Sequence, residues 1–433
     1  MRRALRAIRH PVSQNALAMQ ATQAATLLVP LVTLPYTSRV LGSDGFGLVA
    51  FAQSLSFTLA IVVQWGFEPW ASRDVVVARE NRVRLSALAA QVTGARLLLS
   101  VGALAIAAAV YATSKTTRGS PEFVAMAWLA AASTGLNPMW FFLGHERVRL
   151  ATVVALALRV AAAVLTFVLV HDPGDAWIVM ALFTGAAVLI AAINTARMFR
   201  KVELRRPRLR PSSQAIRDSA PLFAGTAGRS LYTAMNVVLL GFFASRTDVA
   251  HFSAAERVIR SCASLLAPVT YAMYPRVTHL YSSARAGRAL RLLLAGGAGV
   301  VFVASVVAAV AMLVAPELMR LIYGAEFGAS ADILRIMAPI LPMTMVTIVA
   351  GVWLMVRRKD SSVMRITLAA GALNVALAPV LVHVAGTAGM AASVLCAEVA
   401  AMTLALATTV RSHARQPAGD QVAGEGSGEA ARA

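Results

Sequence analysis

Twelve apolar runs of membrane-spanning length, separated by short connections, constrain this chain more than anything else in it. They lie at 15–37, 46–66, 88–111, 123–143, 148–170, 177–199, 219–243, 255–274, 290–314, 331–356, 364–383 and 387–410. A helix needs about 20 mostly apolar residues to cross the hydrocarbon core of a bilayer. Only helices and closed barrels satisfy their own backbone there. No connection is long enough for a separate soluble domain, and the 58% hydrophobic and 14% charged composition agrees with that reading. The runs predict an all-α polytopic membrane protein of about twelve transmembrane helices.

The formal net charge of +20 raises the question of a nucleic-acid partner, and its distribution answers it. With the N-terminus inside, the cytoplasmic segments carry 27 arginines and lysines against 5 outside: Arg39, Lys115, Arg118, Arg246 and Arg320. That is the positive-inside bias of a membrane protein, so the charge reports topology and implies no nucleic acid. Both termini are expected in the cytoplasm. Cys262 and Cys396 both fall inside apolar runs, too sparse for a disulfide framework. The basic start, 1–10, looks like the head of a signal peptide. The segment after it is too long and too polar for one, and is expected to remain as the first helix.

The most basic connection, 200–217, contains Pro207 and Pro211 and divides the runs six and six. The expected organisation is an N-terminal lobe over 1–199, a basic linker over 200–217 and a C-terminal lobe over 218–410. A tail over 411–433, rich in Gly, Ala and Glu toward its end, is expected to be disordered. An even number of helices per half allows repetition about a pseudo-twofold axis along the membrane normal. Weak internal similarity supports duplication. Leu41-Gly42 with Phe51 resembles Leu240-Gly241 with Phe252, and Trp140 with Arg149 resembles Trp353 with Arg365.

Charged residues inside the runs are the candidate functional groups. Arg229 sits near the middle of the seventh run, where a charge costs roughly 2.5–3.5 kcal/mol on insertion scales. It is expected to face a partner or a water-filled cavity. Arg257 and Arg260 share a helix face at i,i+3, and Glu256 can pair with Arg260 at i,i+4. Arginine forks grip phosphate oxygens bidentately, so this group suits a phosphate-bearing head group; a surface ion pair or snorkelling is the plainer alternative. Arg96 and Arg159 leave helix packing, snorkelling and ligand contact open. Gln20, Gln23, Thr26, Thr33 and Thr37 form one polar face on the first helix, with Pro30 and Pro35 expected to kink it. Gln53, Ser56 and Gln64 repeat the face on the second. Either a wet cavity or hydrogen bonding between helices would explain such a stripe. Glu398 is the one carboxylate deep in a run, which makes it a candidate site for ion coupling, as Glu256 is nearer a helix end. Pairing with an arginine is the alternative. The histidines show no metal-ligand spacing, and no phosphate-cradling GxxxxGK[ST] loop is present. No catalytic residue, metal or cofactor is indicated.

Several longer stretches carry a resemblance. LPYTSRVLGSDGFG (34–47), GFEPWASRD (66–74), NPMWFFLGHER (137–147), LLGFF (239–243), FSAAERVIR (252–260), AMYPR (272–276) and IYGAEF (322–327) occur in this order. The set, covering roughly 15–398, resembles the bacterial polysaccharide flippases that export O-antigen and exopolysaccharide repeat units. These Wzx-like proteins belong to the multidrug/oligosaccharidyl-lipid/polysaccharide superfamily. The resemblance implies two six-helix lobes in the bacterial inner membrane and an undecaprenyl-pyrophosphate-linked oligosaccharide as cargo. It also implies possible coupling to H+ or Na+, and association with a polymerase and a chain-length regulator. Arg39 matches a Ser-Arg-Val-Leu-Gly pattern shared with the lipid II flippases, where this arginine lines the cavity. The Arg-Asp pair that follows there is replaced here by Ser43-Asp44-Gly45-Phe46, which argues against a peptidoglycan precursor.

The expected function is alternating-access flipping, with Arg39, Arg229, Arg257, Arg260, Gln20, Gln23 and Gln53 contacting cargo. Glu398 and Glu256 are the expected ion-coupling residues. A cation-coupled multidrug exporter of the same superfamily is the nearest rival; its cationic cargo would favour carboxylates, whereas this chain buries more arginine than acid. A membrane-embedded polysaccharide polymerase or ligase is the second. It would need a large outer loop, and the longest outer connections here, near 112–122 and 315–330, are short.

Overall fold

The computed structural model describes residues 11–203, 205–283 and 285–414, with side chains from 32 onward apart from 224–233 and 412–414. The expected tail beyond 414 lies outside the described residues, as do the side chains of Gln20, Gln23 and Arg229. Every described regular element is helical. The first half contains α1 (Pro11–Gln64), α2 (Phe67–Ala78), α3 (Arg82–Thr113), α4 (Pro121–Leu136), α5 (Met139–Gly144), α6 (Val148–Leu169) and α7 (Ala176–Phe199). The second contains α8 (Leu209–Ala234), α9 (Asn236–Gly241), α10 (Arg246–Ala272), α11 (Tyr274–Ser282), α12 (Ala286–Leu313), α13 (Ala315–Tyr323), α14 (Ser330–Met337), α15 (Ile340–Val356) and α16 (Asp360–Ala414).

Seven described stretches are long and apolar enough to cross a membrane by length and composition. Two adjacent apolar runs fuse into one long helix at each end of the chain. In α1 the break falls at Gly42 (φ 64°, ψ −177°), not at a proline. In α16 it falls at Ala385 and Gly386. Both glycines have positive φ, which a side chain would strain. Other runs cross in pieces: the fourth is divided between α4 and α5 at Asn137-Pro138, and the tenth between α14 and α15. Large apolar side chains such as Val101, Phe302, Leu313 and Val384 remain exposed, as a lipid-facing belt requires.

Two turns carry the same backbone signature in the two halves. At the end of α5 the Arg147 N–H bonds the Phe142 carbonyl and the Glu146 N–H bonds that of Leu143. At the end of α15 the Lys359 N–H bonds Leu354 and the Arg358 N–H bonds Met355. Glu146 (φ 57°) and Arg358 (φ 56°) hold the left-handed position of this Schellman cap. The match pairs Phe141, and not Trp140, with Trp353. The tryptophan similarity in the sequence is therefore displaced by one residue, although Trp140 and Trp353 are both buried. Phe51 and Phe252 are both fully buried.

The halves meet mainly through α1 and α10, and burial along α10 is graded. Residues 46–52 of α1 and 252–256 of α10 are buried. Further along α10, toward the arginine-rich end, 261–264 are half-buried and 265, 268 and 269 are exposed, whereas on α1 Leu59, Ala60 and Val63 remain buried. Helices α1 and α10 are thus packed together at the arginine-poor end, and α10 becomes more exposed toward the arginine-rich one. The linker and the start of α8 are docked on the first half. Gln91 donates to the Pro211 carbonyl (3.0 Å), Trp65 Nε1 donates to the Ile216 carbonyl (3.0 Å), and Trp65 stacks on Phe223 at 3.7 Å.

Candidate functional site

Close approach of α1 and α10 sets the site. A Cβ on Gly47 would lie 1.9 Å from the Arg246 carbonyl oxygen, and one on Gly241 would lie 2.1 Å from the Phe51 ring. Only glycine permits contacts this short. They fix α1 against α9 and the start of α10 and bring Gln53 opposite Arg257.

Arg257 reaches across the junction: its Nη2 donates to Gln53 Oε1 at 3.1 Å, and its guanidinium lies 5.6 Å from the centroid of the Phe46 ring. Phe46 in turn packs edge-on against Tyr323 and Phe327, at 5.9 and 5.5 Å. Arg257 is half-buried, and no carboxylate among the described residues forms an ion pair with it. Arg260, one turn further along α10, forms the pair its spacing predicts. Its Nε and Nη2 donate to Glu256 Oε1 at 3.0 and 2.7 Å, and its side chain is 39% exposed.

Glu256 is buried and doubly held. Its Oε1 also accepts from Asn236 Nδ2 at 2.6 Å. Asn374 Nδ2 donates to Asn236 Oδ1 at 2.7 Å, and Ser393 Oγ donates to Asn374 Oδ1 at 2.8 Å. This chain ties α9, α10 and both parts of α16 together inside the second half. It satisfies the buried polar groups in a low-dielectric setting, where an unpaired one is costly. Glu256 is therefore the anchor of Arg260, with its carboxylate already engaged. Glu398 is separate and buried, accepting from Thr344 Oγ1 at 2.7 Å.

The other sequence candidates fall elsewhere. Arg39 Nη2 donates to the Leu321 carbonyl, which places it in the contact between halves at the arginine-poor end. Arg96 is a packing residue: buried, it donates to the Asn137 carbonyl at the α4–α5 break (2.9 Å) and lies 5.7 Å from the Phe67 ring centroid. Arg159 is exposed on α6. Sequence reasoning missed Asn236 and Asn374, although an asparagine inside an apolar run is itself a signal. It also missed Arg246, whose partners lie 130 and 202 residues away in sequence.

The site offers a half-buried guanidinium with a neutral partner and a second one pinned beside it, at the junction of the halves. At an effective dielectric of 20, an anion about 4 Å from Arg257 gains roughly 4 kcal/mol, against about 1 in water. A phosphate can therefore displace Gln53 from the guanidinium.

Comparison with known proteins decides the family. Residues 12–281, more than half of the chain, match the family model described as polysaccharide biosynthesis protein. The chain belongs to this family. A family relative described as an O-antigen transporter of Shigella dysenteriae is 27% identical over 402 residues, covering 90% of this chain and 97% of that one. Another from Escherichia coli (strain K12), similarly described, is 28% identical over 276 residues, or 61% of this chain and 64% of that one. Among solved structures, the lipid II flippase MurJ in an inward closed conformation aligns with a TM-score of 0.71 at 12% identity, covering 94% of this chain and 88% of that one. An inward-facing multidrug resistance MATE family transporter of the MOP superfamily aligns at 0.60 with 16% identity, covering 90% and 94%. The fold of this family member is thus the two-lobed one of that superfamily.

Proposed function

We propose that the protein flips undecaprenyl-pyrophosphate-linked oligosaccharide repeat units across the bacterial inner membrane for O-antigen, exopolysaccharide or capsule synthesis. The observation that carries this reading is Arg257: a half-buried cation at the junction of the halves, with a neutral amide as its partner and no carboxylate paired with it among the described residues. The sugar head group cannot enter hydrocarbon cheaply, at about 1–3 kcal/mol per unpaired hydroxyl on protein-derived scales. A polar cleft removes that cost while the lipid tail stays in the bilayer. Arg257 and Arg260 hold the pyrophosphate, with Gln53 releasing Arg257 as cargo arrives. Family membership and the relatives described as O-antigen transporters support the cargo class.

In this reading the lobes, 1–199 and 218–410, rock as bodies and expose the cleft to either side in turn. The arginine-rich face is cytoplasmic by the positive-inside bias, so both termini are cytoplasmic and cargo leaves at the arginine-poor face. Glu398, buried with a hydroxyl donor, is the site for H+ or Na+ coupling, and a polymerase and chain-length regulator receive the product. The protein then acts as a transporter, moving its cargo with no bond-making step. The multidrug-export reading is disfavoured by Glu256. Adjacent to Arg257, its carboxylate is bound by Arg260 and Asn236, so it offers little to a cationic cargo at this junction.

The test is complementation of a strain that lacks its own repeat-unit flippase and carries the matching repeat unit. Surface polysaccharide restored by the native chain and lost with Arg257→Ala at equal membrane abundance supports the assignment. Failure of the native chain to restore it contradicts it.

A further inference from the structure

At the arginine-poor end, the contact between halves is concentrated on one side chain. Arg246 is the first residue of α10, held by a capping box in which Ser245 and Asp248 bond each other's backbone N–H groups. Its guanidinium crosses to the first half and engages four residues. Nε donates to the Thr116 carbonyl (3.0 Å), Nη2 to the Arg118 carbonyl (3.2 Å) and to Ser120 Oγ (2.9 Å), and Nη1 to Asp44 Oδ2 (3.3 Å). The first half answers in kind. Ser114 Oγ and Thr116 Oγ1 donate to the Gly241 carbonyl at 2.9 and 3.2 Å, and Thr116 Oγ1 also reaches that of Ala244 at 3.2 Å. Ser114, Thr116 and Ser120 are buried beneath this contact. A second row runs beside it: Ser38 Oγ to the Tyr323 carbonyl (3.0 Å), Ser43 N to Glu326 Oε2 (2.9 Å), and Arg39 to the Leu321 carbonyl. Below both rows lies the aromatic layer of Phe46, Tyr323 and Phe327, and below that Arg257.

We propose that Arg246 is the bolt of the exit gate, and that its bonds to the α3–α4 connection and Asp44 hold the arginine-poor end shut until cargo release. The reasons are geometric. The layers close the path from Arg257 to that end, and every bond in them is reversible and joins one half to the other. The planar fork of arginine spans four acceptors at once, which the point charge of lysine cannot do. Toward the opposite end α10 loses its cover, with 265, 268 and 269 exposed. This rests on the alternating-access reading above, but it is tested without any cargo.

The experiment uses the full chain with Cys262→Ala and Cys396→Ala and a single reporter, Ser261→Cys. Ser261 is half-buried, one turn beyond Arg257 on the same face of α10. A membrane-impermeant maleimide is applied to right-side-out and to inside-out vesicles. The parent should label from the arginine-rich face and resist labelling from the other. Arg246→Ala should raise the rate from the arginine-poor face roughly tenfold, as expected for loss of a charge-assisted contact from the closed state. Arg246→Lys should not restore the parent's protection. Gly47→Ala approaches the same gate independently, since its Cβ would collide with the Arg246 backbone, and should also raise labelling from that face. Equal labelling of both variants and the parent from the arginine-poor face overturns the proposal. Should Arg246→Ala fail to accumulate, Gly47→Ala decides by the same readout. A gate that opens as expected in a chain that restores no polysaccharide would leave the bolt standing and remove the flippase reading; the reverse result would do the opposite.

Discussion

Arginines within the apolar runs look alike in sequence and separate by what they touch. Arg96 is buried against a helix-break carbonyl and a phenylalanine ring, whereas Arg257 bridges two halves through a neutral amide. Their substitutions should diverge accordingly. Arg96→Ala removes a charged donor from the Asn137 carbonyl, which keeps only the Met139 N–H, a loss of about 1.5–3 kcal/mol, and should lower the thermal unfolding midpoint of the purified protein. Arg257→Ala should leave that midpoint nearly unchanged and weaken cargo binding by roughly 10- to 100-fold, the equivalent of a charge-assisted hydrogen bond of about 1.5–3 kcal/mol. Titration of a soluble lipid-pyrophosphate analogue into both variants separates the two outcomes. The positions of these arginines were legible in the sequence; their partners were not. Asn137 lies 41 residues from Arg96, and Gln53 lies 204 from Arg257. Spacing rules reach only one or two turns of a helix, which is why the Glu256–Arg260 pair alone was foreseeable.

Helices here are legible as apolar runs and illegible as bends. Pro30 and Pro35 drew attention as kinks, yet the break in α1 falls at Gly42, where the chain takes a positive φ and turns beside Glu326. A glycine in an apolar run signals either tight packing or a turn, and sequence does not say which. The same holds for the polar chain from Arg260 through Glu256 and Asn236 to Asn374 and Ser393: each member was visible, but the α9–α10–α16 packing that joins them was not. That chain predicts a graded response in stability. Glu256→Leu removes the acceptor of both Asn236 and Arg260 and should cost about 1–3 kcal/mol, toward the low end because Arg260 is partly exposed. Glu256→Gln keeps an oxygen for Asn236 and should recover part of the loss in a thermal-shift series. Equal midpoints for both variants would remove the network from the account.

For the whole molecule, the charge asymmetry and the count of runs foretold a two-lobed membrane protein, and the match over residues 12–281 places it in a polysaccharide biosynthesis family. Where the halves lock together was not legible, because it depends on contacts such as Gly47 with Arg246 that no local pattern encodes. Coupling is tested at this scale. If Glu398 couples an ion to rocking, Glu398→Gln should make transport insensitive to an imposed proton or sodium gradient; an unchanged gradient dependence would return Glu398 to a packing role with Thr344. The central claim is more direct. Purified protein in liposomes, given a labelled undecaprenyl-pyrophosphate oligosaccharide in one leaflet, should deliver it to the other leaflet, read as exposure to an added glycosidase. Transfer above protein-free liposomes, lost with Arg257→Ala, is the predicted result. No transfer by the native chain, together with uptake of a lipophilic cation by the same liposomes, would contradict it.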